Sequence, residues 1–375
     1  MLLSTILLST SRWYSPALSA SCRSHWLAVI LSALCLSSCG EGVTEADLPA
    51  AAMAQGALHS EASDSLIVYS SRNEQLIQPV FERYRDISGV TIEYATDKAG
   101  VLIERLKAEG ENTRADLLLT VDAGTLGFAA SEGLFQRINS PVVNEVVPAH
   151  LRDTDDLWTG LSLRARTVVY SKERVDPAQL STYAALGDPS WQGRLCLRSS
   201  KKVYNQSLVA MLISELGEQE AEQIVQSWVA NLAIAPTSND TQVMQAIING
   251  RCDVGLVNTY YFGRMQVKQP DLPLALYWPN QGEAEGGVHI NLSGIGLLKH
   301  SKNVAAAKAF VDWLVSDEAQ AIFAGVNQEY PINSSATVDP TVVAWGGFKA
   351  SEQPLSDAYR LQPTAVMLFD RVGYR

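Results

Sequence analysis

Short, wholly apolar runs separated by stretches of helical period constrain this chain more than any other feature of it. Leu66–Tyr69 is such a run, and Leu76, Val80, Phe81 and Tyr84 then recur at the spacing of a buried helix face. Val90–Tyr94 predicts the next strand, Val101–Lys107 a helix, and Asp116–Val121 (DLLLTV) a strand buried on both faces, the kind parallel sheets use. Helical period returns over Gly127–Leu134, so the alternation is βαβα. It resumes with strands at Thr167–Tyr170, Leu195–Leu197 and Asp253–Val257. Helices follow from Ala221–Leu232, from Thr241–Ile248 behind an Asp240/Thr241 cap, and from Ala305–Val315 and Glu318–Phe323. Near Gly160–Thr167 and His289–Gly296, apolar-polar stretches link one block to the next, as the crossing strands of a two-lobed protein would. A chain of 375 residues, 47% of them hydrophobic, also exceeds what one core usually supports. The expected fold is α/β with two lobes, residues 66–163 with 290–328 and residues 164–289 with 329–375. A ligand cleft is expected between them, beyond the carboxyl ends of the strands.

The amino terminus sets the compartment. Residues 1–38 hold no Asp or Glu, carry Arg12 and Arg23, and end in an apolar stretch from Trp26 to Leu36 that is too short to span a bilayer. That order is a secretory signal. It closes on Leu36-Ser37-Ser38-Cys39, which resembles a bacterial lipobox and implies a lipid on Cys39. Residues 39–65 are small, polar and aperiodic and read as a flexible tether. The expected location is the periplasm or cell envelope, with membrane contact through the lipid alone. Once the signal and Cys39 are set aside, Cys196 and Cys252 remain; export permits a disulfide between them, and two buried thiols are the alternative.

A net charge of −11 excludes the field that draws proteins to nucleic acid. The chain has no GxxxxGK[ST], GxGxxG, HExxH or GxSxG motif, no CxxC pair and no histidine spacing suited to zinc. The informative constellation is aromatic. Tyr260 and Tyr261 follow the Asp253–Val257 strand and the pair Asn258-Thr259, which places two phenols at a helix N-terminus, where negative charge is favoured. Phenolate oxygen is a hard anionic donor suited to a trivalent cation, whose charge favours ionisation; plain aromatic packing is the alternative. Arg194–Ser199 (RLCLRS) repeats the pattern, with Cys196 eight residues before Tyr204 as Cys252 is eight before Tyr260. If the two strands are parallel neighbours, both tyrosine loops leave one sheet edge and the cysteines meet. The expected Cys196–Cys252 bridge would contribute about 4 kcal/mol in the chain-entropy model.

Four segments carry a resemblance. Tyr69-Ser-Ser-Arg-Asn-Glu-Gln75, Lys201-Lys-Val-Tyr-Asn-Gln-Ser207, Cys252-Asp-Val-Gly-Leu-Val-Asn-Thr-Tyr-Tyr-Phe-Gly263 and Glu329-Tyr-Pro-Ile-Asn333 are similar to the ferric-ion-binding proteins of bacterial ABC importers, along essentially all of 66–375. The resemblance implies a periplasmic-binding-protein-like (type II) fold, no enzymatic activity, Fe(III) held by Tyr204, Tyr260 and Tyr261, and delivery by a monomer to an inner-membrane ABC permease. Many members have a histidine where this chain has Asn73-Glu74. Members without it complete the coordination with carbonate or a similar synergistic anion held by arginines, for which Arg72, Arg164 and Arg166 are the candidates. Asp122 falls where some members have a glutamate ligand, with helix capping as the alternative.

Two competitors remain: a same-fold binding protein for a polyamine, thiamine or phosphonate, its aromatics lining an organic ligand, and an exported enzyme with unrecognised catalytic groups. An iron-dependent visible colour separates the first from the iron reading, and turnover of a cell-envelope substrate would identify the second.

Overall fold

The computed structural model describes residues 64–375. The signal peptide, Cys39 and all but the last two residues of the tether lie outside them. Among the described residues are nine strands, separated by helices except between β7 and β8: β1 Ser65–Ser70, β2 Thr91–Thr96, β3 Leu117–Thr120, β4 Trp158–Ser171, β5 Leu195–Cys196, β6 Val254–Asn258, β7 Leu274–Tyr277, β8 Ile290–Leu297 and β9 Tyr330–Pro331. No described helix is long and apolar enough to cross a membrane.

Strand order explains the two lobes. β1 lies between β2 and β3 with both neighbours parallel, and the Glu74–Ser88 and Ala99–Glu109 helices make the crossovers. β3 pairs antiparallel with β8, and β8 with the first half of β4. The second half of β4 leaves β8 and pairs instead with β6 and β7, while β5 adds parallel to β6. One 14-residue strand therefore begins in one sheet region and ends in another. The hydrophobic cores divide with it. One core joins Leu66, Leu118, Ile295 and Phe310; a second joins Val168, Leu195, Trp228 and Phe369; and a smaller third, around Val169, Val243 and Val257, adjoins the second. This is the mixed α/β, two-lobed type II architecture expected from the sequence.

At the crossing, Gly160 faces Gly294, and a Cβ on either would strike Ile332 Cδ1 at 2.2 Å or the Thr159 carbonyl at 2.5 Å. The Gly294-Ile295-Gly296 run is thus a packing requirement of crossing strands.

Two local readings are corrected. Tyr204 does not sit on a loop but in the first turn of a helix, Val203–Leu216, whose buried residues run unbroken from Ser207 to Ile213 and so show no helical period. The helix at Asp240–Ile248 is capped by Asn239, whose Oδ1 accepts from Gln242 N at 2.9 Å, and this frees Asp240 for another task.

Candidate metal centre

The parallel pairing of β5 with β6 sets the geometry of the site. Cys196 lies opposite Gly255, and the predicted disulfide is formed between Cys196 and Cys252, Cα atoms 5.9 Å apart. Both strands end at one edge, and each is followed by a helix whose first turn carries tyrosine: Tyr204 after β5, Tyr260 and Tyr261 after β6. The rings of Tyr260 and Tyr261 stand 4.5 Å apart. Asn258 precedes the second helix without capping it through its side chain; its Oδ1 accepts from Arg166 at 3.1 Å and its Nδ2 approaches Tyr260 Oη at 3.5 Å.

All three tyrosines line one cavity of about 130 Å³, together with Ser71, Arg72, Asn73, Arg164, Arg264, Ser293, Asn327 and Glu329. Arginines cover the rings. Arg164 lies 5.4 Å and Arg198 4.9 Å from the Tyr204 centroid, and Arg264 lies 4.9 Å from that of Tyr260. Burial pushes the Tyr204 phenol above its ordinary value, with Arg164 pulling the other way. Tyr260 is pushed well above, by burial first and then by Tyr204 and Tyr261. Alone, these two phenols stay protonated at neutral pH.

Behind the tyrosines lies a buried charge cluster. Asp240 accepts from Arg166 and Arg198, both at 3.2 Å, and from the Asn258 backbone N–H at 2.8 Å. Arg166 also donates to Asn258 and to the Leu256 carbonyl, so it holds the support under β6 and does not line the cavity. Arg72 does line it, but donates to Ser293 at 2.6 Å and pairs with Glu329 at 3.0 Å. Ser162 and Asn327 complete the donors to Glu329. Arg164 donates to the Val121 carbonyl. Neither Arg164 nor Arg264 is ion-paired to a carboxylate of the described residues, and Arg166 and Arg198 share one. The cavity is therefore rich in positive charge. Asp122 takes its alternative: Oδ2 accepts from Thr125 N at 2.8 Å and caps the Ala123–Ser131 helix, while Oδ1 accepts from Asn291 at 2.7 Å.

The sequence reading missed Arg198, Arg264 and Asn327. Arg264 stands one helical turn beyond Tyr260 and Tyr261, a spacing that shares a face and could have marked it. Among the described residues no three His, Cys, Asp or Glu side chains cluster closely enough to hold a metal, so phenols are the distinctive donors at this cleft.

Residues 112–352 match the bacterial extracellular solute-binding proteins. The chain belongs to that family. "Iron uptake protein A2" of Synechocystis sp. is 40% identical over 336 residues, which cover 88% of this chain and 94% of that one. Among solved structures, the Trichodesmium protein FutA (IdiA) in complex with iron and citrate ligands aligns with a TM-score of 0.79 and 37% identity, over 83% of this chain and all of that one. The ferric binding protein from Campylobacter jejuni aligns at 0.77 and 32%, again over 83% of this chain and all of that one. These relatives are binding proteins of transport systems; this solute-binding protein is likewise not an enzyme.

Proposed function

We propose that this protein binds ferric iron in the cleft through the phenolates of Tyr204, Tyr260 and Tyr261 and passes it to an ABC permease in the inner membrane. The observation that carries the reading is the convergence of three tyrosines, from two helix starts, on one small cavity. Three phenolates balance a trivalent charge, and the metal supplies the field that displaces protons from buried phenols. The names of the relatives, an iron uptake protein and a ferric binding protein, agree with that chemistry.

The positive cavity favours iron that arrives with an anion. With the phenols protonated, Arg164 and Arg264 repel a bare cation and attract an anionic chelate, and planar carboxylate or carbonate groups suit guanidinium forks. Asn73 and Ser71 on the opposite wall offer no ionisable ligand and Glu329 there is already paired with Arg72, so a carbonate-type anion or citrate would complete the coordination. The Trichodesmium protein was solved in complex with iron and citrate ligands. We take the lobes as 66–163 with 290–328 and 164–289 with 329–375, closing about the crossing strands, and the working protein as a monomer anchored by lipid on Cys39.

The test is the visible spectrum of the purified 66–375 body, before and after ferric citrate and then a strong chelator. A broad phenolate-to-iron band, removed by chelation and lost or shifted in Tyr204→Phe, is expected. A protein that stays colourless throughout would make the three tyrosines a stacking wall for an organic ligand.

A further inference from the structure

Asn291 lies on the crossing strand β8 and is 4% exposed. Its amide is fully used. Nδ2 donates to Asp122 Oδ1 at 2.7 Å and to Ser207 Oγ at 2.8 Å, and Oδ1 accepts from Ala123 N at 3.1 Å and from Leu292 N at 2.7 Å. The groups it joins belong to different cores. Asp122 caps the Ala123–Ser131 helix, whose Ala123, Leu126 and Ala129 pack in the first core. Ser207 stands on the Val203–Leu216 helix of the second core, one turn beyond Tyr204. Directly opposite Asn291 on β4 is Arg164, which ties the Val121 carbonyl to the Tyr204 ring in the same way. Two neighbouring side chains on the two crossing strands thus grip the Val121–Asp122 corner and the Tyr204 turn together.

We propose that Asn291 is a positioning residue: it fixes the turn that carries Tyr204 against the first lobe, so that assembly of the tyrosine site and closure of the lobes are one event. The proposal rests on the iron reading above. A buried amide with every donor and acceptor matched is stable only while both lobes present their partners. Separating the lobes breaks the bond from Asn291 to Ser207, and each group left unpaired in the interior costs more than a bond made in water.

The partners allow a swap. Asn291→Asp places a carboxylate against that of Asp122 and should push the Tyr204 turn away. Asp122→Asn alone keeps a bond, because the Asn291 amide can still donate to the new amide oxygen. The double variant restores a carboxylate–amide pair with the roles exchanged, and Asn at position 122 still serves as a cap. Iron-loaded proteins are challenged with a chelator while the visible band is followed. Asn291→Asp should release iron roughly tenfold or more faster, the effect of losing one buried hydrogen-bond partner, and shift the band towards that of Tyr204→Phe. Asp122→Asn and the double variant should stay within about threefold of wild type.

A folded Asn291→Asp protein with wild-type band and release rate overturns the proposal, as does a double variant no better than the single. Loss of iron in Asp122→Asn alone would make Asp122 a ligand and also overturn it. If Asn291→Asp fails to fold, Asn291→Ser, which removes the bonds without adding charge, is judged by the same release rate and band. If the wild type binds no iron, the tyrosine reading falls, and small-angle scattering of the metal-free proteins decides the latch. An Asn291→Asp particle more expanded than both wild type and the double variant supports it; equal radii overturn it.

Discussion

The two walls of the cleft solve opposite problems. On the second-lobe wall, Tyr204, Tyr260 and Tyr261 present phenols, two of them held protonated by burial, with Arg164, Arg198 and Arg264 over their rings. On the facing wall, Arg72 and Glu329 neutralise one another, and Ser162, Ser293 and Asn327 add further bonds, leaving only Arg72 Nε without a partner. One wall is chemically open, and the other has its charges paired without cargo. A hard trivalent cation can displace protons from the first kind of wall, whereas it has nothing to gain from the second. On the proposed reading, the tyrosine wall would hold the iron and the paired wall would close upon it, with an anion between them.

The largest expected effect lies on the open wall. A Tyr260→Phe/Tyr261→Phe variant should lose ferric binding by well over the roughly 100-fold that removal of an outer partner costs, with its thermal midpoint nearly unchanged. Chelator competition measures it, and iron held normally by that variant would end the tyrosine assignment. On the charge-paired wall the expectation is reversed. Arg72→Met leaves the buried Glu329 carboxylate uncompensated and should cost about 3–5 kcal/mol of stability, most of which adding Glu329→Gln should recover. Urea denaturation of both variants checks this. If Arg72→Met instead lost iron as heavily as the double phenylalanine variant and kept its stability, the first wall would be a ligand wall and the comparison would fail.

The open wall was largely legible in the sequence because its logic is local. Two strands, each followed eight residues after its cysteine by tyrosine, need only be parallel neighbours for the phenols to converge, and β5 and β6 are. The charge-paired wall was not legible, because Arg72, Ser162, Ser293 and Glu329 come from the turn after β1, from β4, from β8 and from the segment before β9 and meet only through the crossing strands. Arg166 misled for a related reason: a guanidinium near the cleft in sequence was consumed by Asp240, a residue that sequence reading had assigned to a cap. The Val203–Leu216 helix escaped because residues apolar on all sides carry no period.

A smaller effect sharpens the asymmetry. Among the described residues only the strands beneath the tyrosine wall are covalently tied, by the Cys196–Cys252 bridge. Cys196→Ala/Cys252→Ala should lower stability by about 2–4 kcal/mol, while the iron band keeps its position, because the pairing of β5 with β6 and the two helix starts remain. A denaturation midpoint unmoved by the substitutions would mean that hydrogen bonding alone holds the tyrosine edge.

The smallest expected effect concerns acid. His289 is buried under the same wall, bonded through Nε2 to Ser207 with no partner at Nδ1, and burial first, then the charges of Arg166 and Arg164, push its pKa down to about 3. In the unfolded chain the same imidazole titrates near its ordinary value of about 6.5. As pH falls below that value the unfolded chain takes up a proton that the folded protein refuses until about pH 3, so the histidine's contribution is present at neutral pH and lost across that window. The slope approaches about 1.4 kcal/mol per pH unit. His289→Gln keeps a polar partner for Ser207 and removes the slope. The difference in urea midpoint between pH 7 and pH 5 should therefore be larger for the wild type than for the variant. Equal differences would show that the arginine-rich wall is no more acid-sensitive than the neutralised one opposite, and the electrostatic half of the comparison would have to be abandoned.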